Sequence, residues 1–462
     1  MRSLGLILVT GLLGIQQPTA PSVEAWEKPI APGLLYRTEI RPGPVVVHAV
    51  RQFAGSEGVR ATAAVPGKTV YADNATMGRG TVGQMVRDYQ ALGGINADFF
   101  PLSRDKATGD PLGFMAANGE LISSPARNRS HFAWGPSGAS VGAATVTIRA
   151  RTGTAATDGF AVDAVNQECA LNQITLNAPV AGLALSYTSP TVSAVLKADR
   201  PVIPMNGTLT AEVEYLLPEA QKTPIPAGRL ILTAQGNKVA TLTALKPGTI
   251  LTFEVATQGV DGKDITDAVG GGPRLLRAGQ LALNPESEGF SAAFSTTRHP
   301  RTAVGHTAEG DIWWVVIDGR SKHSIGASLT ETAQIMKELG CVEATNLDGG
   351  GSSALHLAGA SLNRPSDGQE RAVANGVVFS APVSKSNVKL SGLSVATRDG
   401  KTFVTALDDR KRALPAIAVI FTATGGGWIT PAGEVRALAK APIKVRAWLD
   451  GQTAEITVPG EP

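Results

Sequence analysis

The strongest chemical signal in this 462-residue chain is Asn346-Leu347-Asp348-Gly349-Gly350-Gly351-Ser352-Ser353. Three consecutive glycines lose much backbone entropy on folding. A structural turn needs one or two. Three let the backbone approach a ligand closely and turn N–H groups toward an anion. Asp348 adds a carboxylate, and Ser352 and Ser353 add hydroxyls. A tight hairpin with a capping Asp is the plain alternative, but it would require neither Asn346 nor both serines.

Weaker signals surround it. In Asn96-Ala97-Asp98-Phe99-Phe100, Asn96 and Asp98 share one face of a strand. They read either as a site floor or as a strand end with a turn. In Arg298-His299-Pro300-Arg301-Thr302-Ala303-Val304-Gly305, two arginines flank a proline that fixes the backbone. Arg301 suits a bidentate grip on phosphate or carboxylate, and a solvated basic turn is an equal reading. Gly270-Gly271-Gly272-Pro273-Arg274 is another glycine-rich turn, and Asp318-Gly319-Arg320 releases a carboxylate and a guanidinium at a strand end. Asn363 to Arg371 reads on composition as a surface loop. His131 and His323 stand alone, and there is neither a metal-type histidine pair at helical spacing nor a G-x-S-x-G elbow.

These residues need a scaffold. Asp311 to Ile317 is a buried strand that runs into Asp318-Gly319-Arg320. Ser328-Leu329-Thr330-Glu331 is a capping box. The helix it opens buries Leu329, Ala333, Ile335, Met336 and Leu339 and stops at Gly340. Cys341 to Leu347 is the next strand. Strand, helix and strand make a βαβ-like unit whose polar strand ends face one crevice. Upstream, Thr81 caps a helix with Val82, Met85, Val86, Tyr89 and Leu92 on one face, and Gly93-Gly94 ends it. Strands begin after Gly43, at 45–51 and 59–65. Residues 112–150 read as a meander with a hairpin turn at Asn118-Gly119. Residues 180–265 are β-type, either a continuation or an inserted subdomain.

The expected fold class is α+β: a β-rich, mixed-sheet domain with a few helices over residues 43–383, then a small β-sandwich-like module over 384–462. Residues 1–20, with Arg2, an apolar Leu4–Ile15 stretch and Ala20, have the layout of a signal peptide, and 21–42 is a Pro-rich lead-in. The expected location is therefore secreted or periplasmic, with no membrane span. Hydrophobic residues make up 43% and charged residues 18%, so a packed core is expected rather than disorder. The net charge of +3 carries no run of Lys or Arg, which excludes a nucleic-acid footprint. Cys169 and Cys341 form a disulfide or two buried thiols, and both readings stand. The oligomeric state is left open.

Taken together and in order, these stretches resemble the phosphodiester glycosidase family. The resemblance runs through Ile95–Phe100, Gly270–Pro273, His299–Gly305, Asp318–Arg320, Glu331, Asn346–Ser353, Asn363–Arg371 and Asn375-Gly376, over roughly residues 43–380. It implies hydrolysis of a sugar-1-phosphodiester to free sugar and phosphomonoester. Family members often carry glycines where Ala97 and Asp98 stand here. On this reading Asp348 or Asp318 activates water or acts as nucleophile. Arg301, Arg320 and the Gly349, Gly350, Gly351 and Ser352 backbone hold the phosphate. Asn96 and Asp98 bind sugar hydroxyls or a cation, and Asn346, Ser353 and Arg371 complete the substrate site. The cofactor is left open: Asp98, Asp318 and Asp348 are hard oxygen ligands suited to calcium or magnesium, and no other cofactor is expected. The partner is a carbohydrate phosphodiester or a surface glycopolymer. The competing readings are a non-catalytic cell-surface carbohydrate-binding protein and a hydrolase of a phosphate-containing surface polymer or exopolysaccharide.

Overall fold

The computed structural model describes residues 23–101, 109–125, 128–153, 158–219, 221–262, 264–382 and 388–460. The signal-peptide segment 1–20 and the polar boundary 384–387 lie outside the described residues. The fold is β-rich with mixed sheets and a few short helices.

An eight-stranded sheet carries the site. Its order is Glu24–Ala31, Leu34–Arg41, Val45–Gln52, Ile312–Ile317, Arg301–Thr307, Cys341–Asn346, Arg274–Arg277 and Gln280–Leu281. The Ile312–Ile317 strand is apolar throughout because both its faces are covered. Trp313, Val315 and Ile317 join a core with the helix Leu329–Glu338. Trp314 and Val316 join the opposite core with Ile95, Phe132 and Phe379. The helix begins at the Ser328–Glu331 capping box, with both reciprocal bonds formed.

The strand–helix–strand unit is split. Ile312–Ile317 and Cys341–Asn346 each pair antiparallel with Arg301–Thr307, which lies between them. The two strands are therefore parallel to each other. Their carboxyl ends and the start of Arg301–Thr307 come to one edge of the sheet, and that edge carries Asp318, Arg301 and Asp348.

A five-stranded sheet ordered Ala360–Ser361, Leu355–Leu357, Gly93–Asn96, Gly376–Ser380 and Arg60–Ala64 brings Asn96 to the same place. A second five-stranded sheet includes Asp267–Gly270 and the Asn118-Gly119 hairpin, where both turn residues have positive φ (51° and 81°). Residues 145–258 form a separate eight-stranded sheet with most of its own apolar core, including one parallel pair, Ala164–Val165 with Ile174–Asn177.

The stretch expected as a lead-in, 21–42, instead contributes the strands Glu24–Ala31 and Leu34–Arg41. Its prolines misled the reading. Pro29 sits in the edge strand, where a missing N–H breaks no inner ladder, and Pro32 lies in the connecting turn.

Residues 390–458 form a four-stranded and a three-stranded sheet that share one apolar cluster, including Val404, Phe421, Ile429, Ile443 and Val445. This module docks on the larger part. The buried Lys28 Nζ donates to the Ala416 and Val419 carbonyls, and Arg364 donates to Gly425 O and Gly427 O at 3.0 and 2.9 Å. Cys169 and Cys341 are buried free thiols. Among the described residues no helix is long and apolar enough to cross a membrane.

Candidate active site

Asp348 lies two residues past the end of the Cys341–Asn346 strand. Its N–H donates to Ala97 O at 2.8 Å and its carbonyl accepts from Asn96 Nδ2 at 2.7 Å, so the backbone is clamped from the neighbouring sheet. The carboxyl accepts from the Gly349 N–H at 2.9 Å and from the Ser352 hydroxyl. The residue as a whole is half-buried. The surrounding protein strips water from it and pushes its pKa up to about 6, against the opposing pull of Ser352 and Arg371.

The three glycines serve a different purpose from the one expected. A Cβ on Gly349 would stand 2.8 Å from Pro300 O, one on Gly350 3.0 Å from Arg320 Nη2, and one on Gly351 2.1 Å from Arg371 Nη2. The loop thus admits a backbone carbonyl and two guanidinium groups. Three of the four N–H groups expected to face phosphate have partners within the protein. Gly349 N–H donates to Asp348, Gly350 N–H to Pro300 O at 2.8 Å and Ser352 N–H to Gly349 O at 3.2 Å.

The two guanidinium groups border the glycines, and the charge of Arg371 acts on Asp348. Arg371 is oriented by Asp367, with bonds of 2.9 and 2.7 Å, and its Nη1 reaches Ser352 Oγ at 3.3 Å. Arg320, at φ +58°, leans on His299 Nδ1 at 3.3 Å. Burial, and then the charges of Arg320 and Arg301, hold His299 below the usual imidazole range, which keeps it a neutral acceptor.

Other expected ligands prove to be clamps. Asn96 is fully buried, and its Oδ1 accepts from Thr302 Oγ1 at 2.8 Å and from the Ala354 N–H at 3.1 Å. Asn346 is equally buried and donates to Gly272 O and Leu347 O. Ser353 is buried, with its hydroxyl oxygen 3.2 Å from that of Thr302. Arg301, expected to grip phosphate, is 1% exposed. Its Nε donates to Ala327 O, and one terminal nitrogen donates to Phe294 O and Thr297 O. It braces the turn before the site, and burial lowers its pKa to about 10.

Asp98 lies behind the Asp348 loop, 1% exposed, with Gly113 and Phe99 N–H groups on its two oxygens. Desolvation pushes its pKa up to about 7, and the nearby charge of Asp348 adds to the rise. Its neighbourhood makes it a poor hand for sugar hydroxyls: Gly113 and Gly270 press directly on the carboxyl.

Asp318 belongs to another pocket. Its Oδ1 accepts from the Arg364 N–H at 2.9 Å, and its Oδ2 faces His323 Nε2 at 3.2 Å and His48 Nε2 at 3.5 Å. Despite full burial, these imidazoles hold its carboxyl below the usual range. The expected pairing of Asp318 with Asp348 as alternative catalysts at one centre is therefore not what the fold builds. Asp98, Asp318 and Asp348 do not converge on a calcium or magnesium position either. Among the described residues no group of three or more His, Cys, Asp or Glu side chains could hold a metal ion.

Sequence reading missed Arg129 and His48. Arg129 lies over the Phe99 and Phe290 rings, 5.3 and 4.4 Å from their centroids, and its charge acts on Asp98. Nothing in its local context marks it. His48 sits in a buried strand that reads as core.

Known proteins share this organisation in part. The chain is 30% identical over 166 residues to the SPbeta prophage-derived uncharacterized protein YomE of Bacillus subtilis, covering 34% of this chain and 25% of that protein. It is 30% identical over 151 residues to mouse N-acetylglucosamine-1-phosphodiester alpha-N-acetylglucosaminidase, covering 30% of this chain and 29% of that enzyme. The chain thus spans less than a third of either relative. A crystal structure of a hypothetical protein from Synechocystis superposes with a TM-score of 0.62 at 25% identity, covering 79% of this chain and 64% of that one. Residues 200–380, which hold Asp348, Arg320 and Arg371 but not Asn96 or Asp98, match the family model of the phosphodiester glycosidases.

Proposed function

We propose that the chain is an exported hydrolase that cleaves a sugar-1-phosphodiester at the glycosyl C–O bond. One observation carries the reading: the charge of Arg371 acts on the Asp348 carboxyl, and the glycines that follow Asp348 let the guanidinium groups of Arg371 and Arg320 approach the same turn. The pair of cations suits a phosphodiester anion. The carboxyl suits the anomeric carbon next to it.

Asp348 acts as base. It takes a proton from water as the water oxygen bonds to the anomeric carbon. The C–O bond breaks with its electron pair on the phosphate oxygen, giving free sugar and a phosphomonoester. The phosphate is already a fair leaving group, so strong acid assistance matters less than in ordinary glycosidases. A pKa near 6 leaves Asp348 ionised at neutral pH while keeping it basic enough to work. Arg371 and Arg320 neutralise the departing phosphate. The signal-peptide layout of residues 1–20 supports export, and the module over 384–462 is read as a small β-sandwich.

The test is free-sugar release by the purified protein from a panel of sugar-1-(p-nitrophenyl phosphate) diesters, beside Asp348→Ala. Release by the wild type that disappears in the variant supports the reading. Stoichiometric binding of the diesters without turnover, equal in both proteins, would replace it with a carbohydrate-binding role.

A further inference from the structure

We infer that Asp318 is a positioning residue: it fixes the Asn363–Arg364 corner, and through Asn363 it sets the Ser352–Ser353 turn against Asp348. The inference rests on the reading of Asp348 just given and assigns a use to a second buried carboxylate which that reading leaves idle.

The contacts form one chain. Asp318 Oδ1 takes the Arg364 backbone N–H at 2.9 Å and lies 3.4 Å from Asn363 Nδ2. The same Asn363 Nδ2 donates to Ser353 O at 3.1 Å, and Asn363 Oδ1 accepts the Leu355 N–H at 2.7 Å. Asn363 therefore grips the chain on both sides of Ala354, immediately after the serine that donates to Asp348. Asn363 is 5% exposed and Asp318 1%, so neither is placed to meet substrate.

The far side of Asp318 is closed. Its Oδ2 faces His323 and His48, and His48 Nδ1 lies 2.8 Å from the Tyr36 hydroxyl. A cavity of about 30 Å³ beside them has room for about one water molecule, not for a sugar. Trp428 of the C-terminal module forms part of its wall, with its ring centroid 4.6 Å from that of His323. Arg364, whose N–H Asp318 holds, extends its guanidinium to Gly425 O and Gly427 O of the same module. The corner is thus held by a carboxylate on one side and by the docked module on the other. A carboxylate with this many donors and a depressed pKa is a poor base and a firm anchor.

The experiment compares wild type, Asp318→Asn, Asn363→Ala and the double variant. Two readouts are taken: kcat and KM on the diester panel, and backbone amide exchange of residues 349–355. Asn363→Ser replaces Asn363→Ala if the latter does not fold. Each single change is expected to lower kcat about tenfold with KM within about twofold, and the double variant to be no worse than the worse single, as for residues acting through one chain. Exchange in 349–355 should quicken to the same extent in all three variants. Multiplicative kcat losses in the double variant would overturn the inference and return Asp318 to independent chemistry. Unchanged exchange in Asp318→Asn would overturn it as well. If the wild type releases no sugar, the reading of Asp348 fails, while the exchange data still decide whether Asp318 holds the loop.

Discussion

Two aspartates end two parallel strands of the same sheet, and they have opposite characters. Asp318, after Ile312–Ile317, is buried among a backbone N–H and two imidazoles, and its carboxyl is held below the usual range. Asp348, after Cys341–Asn346, is half-buried as a residue, bonded to Gly349 and Ser352, and its carboxyl is pushed up to about 6. Burial alone raises both. What separates them is the number and charge of the groups turned toward the carboxyl. A fixed anion with every oxygen occupied is an anchor. An anion kept short of partners, beside cations meant for something else, is a reagent. The Asp-Gly sequence common to both does not distinguish them.

The largest break in this comparison should come from isosteric substitution of each in turn. Asp348→Asn is expected to lower kcat by about 10³-fold or more, in the range found on removing a group that takes part in the chemical step. Asp318→Asn should cost only the tenfold expected of an anchor. Equal losses would erase the distinction. The pH dependence sharpens it. Because desolvation raises the Asp348 pKa to about 6, the carboxyl is protonated below that pH, and kcat/KM should fall on the acid side with a limb near 6. Arg371 opposes that rise, so Arg371→Gln should move the limb to higher pH. A limb unaffected by Arg371 would mean that another group titrates.

A smaller effect tests why three glycines stand together. In Gly351→Ala the new methyl would lie 2.1 Å from Arg371 Nη2 and 2.3 Å from Asp367 Oδ2. The guanidinium must move. If the glycines exist to admit cations, Gly351→Ala and Arg371→Gln should raise KM alike, by about tenfold, as the loss of one charge-assisted contact does. If the glycines instead served N–H donation, Gly351→Ala would leave KM alone.

The parts of this molecule that were legible in the sequence are those decided locally. The capping box at Ser328 and Glu331, the apolar Ile312–Ile317 strand and the Asn118-Gly119 hairpin each carry their cause within a few residues. The cluster of chemistry around Asp348 was visible because glycine, carboxylate and hydroxyl are contiguous. What was not legible depends on which way a side chain faces. Asn96 and Asn346 end strands in the same pattern a ligand-binding amide would show, yet both are buried, with their amide N–H groups on backbone carbonyls and Asn96 Oδ1 on Thr302. Arg301 looked like a phosphate clamp and braces Ala327 and Phe294. The partners of Asp318 come from residues 48, 323 and 364, and no spacing rule links them. The insertion of Arg301–Thr307 between two parallel strands likewise depends on pairing rather than on periodicity.

A second buried charge extends the comparison to the module boundary, with the smallest expected effect. Lys28 is 4% exposed and faces the carbonyls of Ala416 and Val419 and the Phe421 ring, and burial lowers its pKa to about 7. Asp318 is stabilised as an ion, whereas Lys28 is penalised as one. For a lysine whose folded pKa is depressed, the unfolded chain binds more protons between about 7 and the ordinary value of 10.5, so stability should rise with pH across that window. Lys28→Met keeps the length and removes the charge. Its melting temperature should be less dependent on pH between 7 and 10 than that of the wild type, and the two should differ most at the acid end of that range. A wild-type melting temperature that stays flat over the same range would show that the two carbonyls hold the ammonium well enough to offset its burial, and that Lys28 is an anchor of the same kind as Asp318.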